Sequence, residues 1–278
     1  MTVATLAEVL QPALRDGYAV AGFVTLGWED MVAFVAAAEA EQAPVILQAG
    51  PGARAHTPLP VLGAMMRHLA ERASVPVVLH LDHGYAVEDC RAAIDCGFTS
   101  VMFDGSSQPL AQNIAATRSV VELAHAAGVS CEGEIGVVGY AEGKPSTGTD
   151  PSEAARFARE TCVDAMAVSV GNVHLQRHSD AALDEARLAE IAALCPVPLV
   201  IHGGSGVPVA QRARLAAHST ICKFNIGTEL RMVFGASLRE AMARDPDQFD
   251  RLTLLKQTIP PMEAAARTII RNLQGVGR

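Results

Sequence analysis

"VVLHLDHGYAVEDC", residues 77–90, begins as an apolar run and then crowds His80, Asp82 and His83 into its end. An apolar run of this length reads as a buried strand. Titratable groups at its end need partners, because an unpaired buried charge or imidazole is expensive. The next stretch, "AVEDCRAAIDCG" (86–97), has apolar residues at three- and four-residue spacing, so a helix follows the strand. Strand followed by helix is the repeating unit of a parallel α/β sheet.

The same unit recurs on both sides. Strand-like runs are "YAVAGFVT" (18–25), "PVILQA" (44–49), "PVVLHLD" (76–82), "FTSVMFD" (98–104), "VSCEGEIG" (129–136), "DAMAVSV" (164–170), "PLVIHG" (198–203) and "TICKFNIG" (220–227). Ala/Leu/Arg-rich helical stretches separate them. Eight alternations predict a (β/α)8 TIM barrel with additional C-terminal helices, and the runner-up is an open doubly wound sheet. Residues 1–17 read as an amphipathic helix, and the tail after Ala236 as two more. Nothing resembling a linker divides the chain, so residues 1–278 are expected to form a single domain.

Composition narrows the partners. A net charge of -8 argues against a general nucleic-acid or membrane-surface binder, which needs a basic face. No apolar run is long enough to span a bilayer, and the N-terminus lacks the pattern of a secretory signal. The cysteines (Cys90, Cys96, Cys131, Cys162, Cys195, Cys222) are dispersed and form no C-x-x-C pair. A reducing cytoplasm is the simplest compartment.

The barrel reading makes a demand: chemistry must sit at the C-terminal ends of the strands. Six consecutive candidate strands meet it. They lead into Asp82-His83, Asp104, Glu132 with Glu134, Asn172 with His174, "HGGSG" (202–206) and "NIGT" (225–228). His83, His174 and His202 come from three strand ends, and three neutral imidazoles with one open position suit a catalytic zinc. His80 lies before its strand end and reads as structural. The small residues after the last two strands suit an anion cradle, although a lone G-G-S-G is more often only a turn.

Taken in order, "HLDHG" (80–84), "FDGS" (103–106), "EGEIG" (132–136), "HGGSG" (202–206) and "KFNIGTEL" (223–230) resemble the class II, metal-dependent fructose- and tagatose-bisphosphate aldolases over roughly residues 1–240. The resemblance implies a metal-dependent aldolase that reversibly cleaves a ketose phosphate, giving dihydroxyacetone phosphate and an aldehyde. It implies one Zn2+ per subunit on His83, His174 and His202, with Glu134 and Asp104 nearby, and leaves room for a monovalent cation. Asp82 would be the acid/base, Asn225 would contact the enediolate, and Glu142 in the long loop would exchange the carbanion's proton. Gly203, Ser205, Gly227 and Thr228 would hold the phosphate. Homodimers or homotetramers are implied, and no nucleic acid or membrane.

The chain also departs from that pattern. Val24 stands where an Asn is usual, Gly50 where a Ser is common, and Leu175 where a Gly follows the second zinc histidine. Arg177 and His178 lie near the position of a phosphate-binding Lys. A substrate other than ordinary fructose 1,6-bisphosphate is therefore expected. The rival readings are a Schiff-base aldolase using Lys223, a zinc-dependent sugar isomerase or epimerase, and a non-catalytic sugar-phosphate-binding protein.

Overall fold

The computed structural model describes residues 2–139, 145–179 and 181–274. Its strands are β1 (Val3–Ala4), β2 (Val20–Val24), β3 (Val45–Ala49), β4 (Val77–Gly84), β5 (Ser100–Phe103), β6 (Ser130–Ile135), β7 (Ala165–Val168), β8 (Leu199–Ile201) and β9 (Ile221–Ile226). β2 to β9 pair in parallel with their sequence neighbours, and the β2–β9 pairing closes them into an eight-stranded barrel. All eight strand candidates are present, seven of them shortened and β4 running on to Gly84, two residues past its expected end. Helices lie between consecutive barrel strands, so this is the (β/α)8 fold.

β1 was not anticipated. It pairs with β4 through Val3↔Val77 and Ala4↔Val78, at the strand's N-terminal end. The helix Leu6–Asp16 follows, started by a capping box between Thr5 and Glu8. Its apolar face of Leu6, Val9, Leu10 and Ala13 packs with Val20, Ile46, Val78, Ala165 and Val200 from the barrel strands. The bottom of the barrel is thereby plugged. A larger core fills the space between the strands and the outer helices.

The tail carries the two further helices expected, but they begin well after Ala236. Ala236 lies within the helix Thr228–Arg244, which begins directly after β9, and two further helices follow, Arg251–Lys256 and Ile259–Leu273. The last packs against Trp28–Ala40, and Glu41 joins them by accepting from Arg267 Nε at 2.7 Å and Arg271 Nε at 2.7 Å. No helix among the described residues is long and apolar enough to cross a membrane.

Candidate metal centre and active site

The end of β4 carries the decisive irregularity. In a regular strand Asp82 and His83 would face opposite sides of the sheet. The β4–β5 register shifts between Leu81 and Gly84, and His83 takes a left-handed φ of 52°. That bulge swings His83 back to the side of Asp82. Gly84, the next residue, does not share that conformation. Its role is space: a Cβ there would lie 2.9 Å from the Met102 carbonyl oxygen.

The bulge is clamped from outside. Arg54, in the helix Pro51–His56, donates through Nη1 to the carbonyls of Ala49 and Asp82, both at 2.6 Å. Through Nη2 it donates to the His83 carbonyl at 2.9 Å. The ends of β3 and β4 are therefore tied together by one guanidinium.

His83, His174 and His202 meet at the barrel's C-terminal end, with ring centroids 4.7–5.7 Å apart. Each offers a nitrogen within 4.8 Å of the others. His83, Asp104 and Glu134 form a second group within the same limit, so the two sets share His83. His83 Nδ1 donates to Asp104 Oδ2 at 2.9 Å, leaving Nε2 as its free ligand atom. Asp104 Oδ1 accepts in turn from Ser106 N and Oγ. His202 Nε2 donates to Glu132 Oε1 at 3.1 Å, and its Nδ1 lies 3.2 Å from Glu134 Oε2. Those last two atoms are buried and neither makes a hydrogen bond among the described residues. An orphaned imidazole nitrogen beside an orphaned carboxylate oxygen fits a cation.

The charges agree. Burial alone would lower the pKa of His202, but Glu134 and Glu132 outweigh it and push it up to about 10. At His174, burial together with the other two histidines outweighs the pull of Asp82 and Asp104 and takes the pKa down to about 3. A proton shared with carboxylates at His202 and a neutral His174 describe a centre that attracts one positive ion.

Below this layer the strands bury an ion-pair network. Lys223 Nζ donates to Glu132 Oε2 at 2.6 Å and lies 3.3 Å from His80 Nε2, while His80 Nδ1 pairs with Ser100 Oγ at 2.8 Å. His80 and Lys223 are thus supporting groups, as their positions suggested. Glu132 joins the layers by touching both Lys223 and His202.

Asp82 sits in the pocket beside the histidines. Its Oδ1 accepts from Gln48 Nε2 at 3.0 Å and from Asn225 Nδ2 at 3.3 Å. Gln48 fits there because Gly22 has no Cβ, which would meet Gln48 Oε1. Burial would raise the Asp82 pKa, but His83, His202 and Lys223 more than offset it and hold it below the usual carboxylate range.

Two lobes open from Asp82 and His174. The inner one is lined by Gly203, Ser205, Asn225, Gly227 and Thr228. Gly203 has a φ of 64° and passes against the Val173 carbonyl, which a side chain would block. Ser205 Oγ accepts from the N–H groups of Gly227 and Glu229 at 3.2 and 3.3 Å, stitching the two loops together. The three departures noted in the sequence, Val24, Gly50 and Leu175, all line the outer lobe, and Val24 and Leu175 also border the inner one. Leu175 holds a left-handed φ of 59°, a conformation that costs about 1–2 kcal/mol in a residue with a side chain. Arg177 lines a neighbouring groove with Arg212, and neither it nor His178 borders either lobe. Glu142 lies outside the described residues.

Sequence reasoning missed the parts played by Gln48 and Arg54. A Gln ending the apolar run "PVILQA" was a signal, since a buried amide needs partners. Arg54 gave none, because its acceptors are backbone carbonyls.

A parallel barrel with a histidine-rich, cation-attracting rim defines a metal-dependent barrel enzyme. The chain belongs to the class II fructose-bisphosphate aldolase family, which matches residues 4–278. It is 37% identical over 286 residues to the fructose-bisphosphate aldolase of Geobacillus stearothermophilus, covering 100% of this chain and 98% of the other. It is 38% identical over 276 residues to the 6-phospho-5-dehydro-2-deoxy-D-gluconate aldolase of Shouchella clausii, covering 96% and 92%. Among solved structures, the YdjI aldolase of Escherichia coli K12 superposes with a TM-score of 0.85 at 29% identity, covering 99% and 98%. The protein is a carbon–carbon lyase that carries out metal-dependent retro-aldol cleavage.

Proposed function

We propose that the chain cleaves and re-forms a ketose phosphate, releasing dihydroxyacetone phosphate and an aldehyde. One Zn2+ per subunit would be held by His83, His174 and His202, with Glu134 beside it. The observation that carries this is that three imidazoles converge within 4.8 Å of one another beside a carboxylate, Asp82, that is gripped by two amides and lines both lobes with His174. The bound ion supplies Lewis acidity at the substrate's carbonyl oxygen. Asp104 fixes the His83 tautomer, and Glu132 that of His202. Gln48 and Asn225 hold Asp82 Oδ1, so Oδ2 is left for the substrate. Asp82 takes the hydroxyl proton as the carbon–carbon bond breaks, and returns it in the addition direction. The phosphate is cradled by Gly203, Ser205, Gly227 and Thr228.

The relatives are named for two different substrates and have similar identities to this chain, so they do not choose between them. The outer lobe does favour a choice. Gly50 borders this lobe and not the inner one, and Val24 and Leu175 change the wall that both share, which supports an aldehyde half unlike that of fructose 1,6-bisphosphate. Steady-state comparison of fructose and tagatose bisphosphates with ketose monophosphates tests this. Highest kcat/KM on fructose 1,6-bisphosphate would defeat the altered-substrate reading. Activity that survives EDTA, or sugar interconversion without aldehyde release, would defeat the zinc aldolase.

The same proposal includes a cytoplasmic homodimer or homotetramer. Six free cysteines support a reducing compartment, and Phe249 and Leu252, 93% and 63% exposed, offer apolar surface for self-association. Light scattering on the purified protein decides the assembly.

A further inference from the structure

We propose that Asn172 is a positioning residue for the metal centre: its side chain fixes the spacing of His174 and His202 through their main chain. This rests on the reading that the three histidines hold the ion. β7 ends at Val168 and β8 at Ile201, and the last paired residues between them are Ala167 and Val200. Both ligands lie beyond that ladder, so strand pairing does not set the distance between them. His83 has its own clamp in Arg54 and Asp104.

Asn172 spans the gap. Its Nδ2 donates to the Val168 carbonyl at 3.3 Å and to the His202 carbonyl at 3.0 Å, and its Oδ1 accepts from Val170 N at 2.8 Å. The residue is fully buried, and both donors and the acceptor are spent on the main chain at the two strand ends. The turn that aims it passes through Gly171, which has a φ of 98° and would place a Cβ 2.9 Å from the Ala182 carbonyl oxygen. The path goes on to His174. Ser146 Oγ donates to the Asn172 carbonyl at 3.2 Å and accepts from Gly139 N at 3.0 Å, and the Gly139 carbonyl accepts from His174 N at 2.8 Å. The carbonyl of one ligand and the N–H of the other are thus the two ends of one hydrogen-bonded path. Glu132 holds the His202 ring separately, so the path acts on the backbone of that residue. An amide suits this place because one nitrogen carries two donors. A carboxylate would set oxygen against both carbonyls, and an alkyl group would leave them unpaired in the interior.

The test is zinc affinity by chelator competition, with Co2+ in place of zinc so that its visible absorption bands report the ligand geometry. Asn172→Asp keeps the size and the Oδ1 acceptor but loses both donors. It should weaken zinc by about 10- to 100-fold, as loss of a group behind a ligand commonly does, and shift the Co2+ bands. Ser146→Ala, at an exposed position, cuts the link to His174 and should weaken zinc by about fivefold, the worth of one hydrogen bond. Zinc affinity within about threefold of the unaltered protein in Asn172→Asp overturns the proposal. Lower urea stability with unchanged affinity and unchanged Co2+ bands marks a merely structural amide and overturns it as well. If Asn172→Asp does not fold, Ser146→Ala decides, and unchanged zinc affinity there overturns it. If the unaltered protein binds no zinc, the metal reading fails and takes this proposal with it.

Discussion

The Arg54 guanidinium donates to the carbonyl of His83 at 2.9 Å, gripping the residue whose left-handed φ brings a metal-ligand candidate and an acid/base to one side of β4. Arg54 touches neither the metal centre nor the cavity's reacting atoms. Groups that orient a ligand without binding the metal commonly contribute about 10–100-fold in metal affinity or activity. Arg54→Met should therefore weaken zinc by about that factor in a chelator competition. Arg54→Lys should recover only part, because one ammonium cannot reproduce a planar fork across three carbonyls. Unchanged zinc affinity in Arg54→Met would remove the clamp from the account.

Asp82 makes a sharper separation. It is expected to move a proton and not to bind the ion, so Asp82→Ala should keep a full complement of zinc while cleavage drops by about 10²–10⁴-fold. Metal analysis beside turnover on the best substrate checks both halves. Retained turnover would overturn the assignment.

The buried Lys223–Glu132 pair predicts a stability effect with little room to hide. Lys223→Met leaves Glu132 charged and buried without its main partner, which should cost about 3–5 kcal/mol in urea unfolding. Pairing it with Glu132→Gln should return much of that loss, since an amide needs no counter-ion. Failure of the double variant to recover would show that Lys223 matters for packing instead.

His80 gives a pH dependence. Burial and the neighbouring Lys223 take its pKa down to about 3, from the 6.5 of an exposed imidazole. The unfolded chain then binds more protons below 6.5 than the folded one does. Stability from this group is present above pH 6.5 and is lost as pH falls toward 3, by up to about 1.4 kcal/mol per pH unit. His174 in the metal-free protein acts in the same direction. His80→Gln should flatten the fall between pH 6.5 and 4.5, measured by urea unfolding at each pH. An unchanged slope would mean that other groups set it.

The strand count, the barrel and the convergence of Asp82, His83, His174 and His202 could all be read from spacing, because the pleat and the helical period leave plain marks in an Ala/Val/Leu-rich chain. The bulge left none. Consecutive strand residues face opposite sides, and nothing in the spacing shows that His83 itself takes the positive φ that brings it beside Asp82. The two tail helices were legible as well, but not where they begin, because Ala236 sits within the helix that follows β9. Arg177 and His178 looked suited to the phosphate by their place in the order of residues. Order does not say which way a loop faces, and this loop carries Arg177 into another groove.

The plug formed by β1 and the helix Leu6–Asp16 makes the barrel a vessel with one mouth. Among the described residues, the chain from Lys223 through Glu132 to His202 is therefore closed off at the lower end of the barrel axis. Water, protons and both cleavage products pass the same rim, so whichever fragment sits nearer the opening governs the departure of the other.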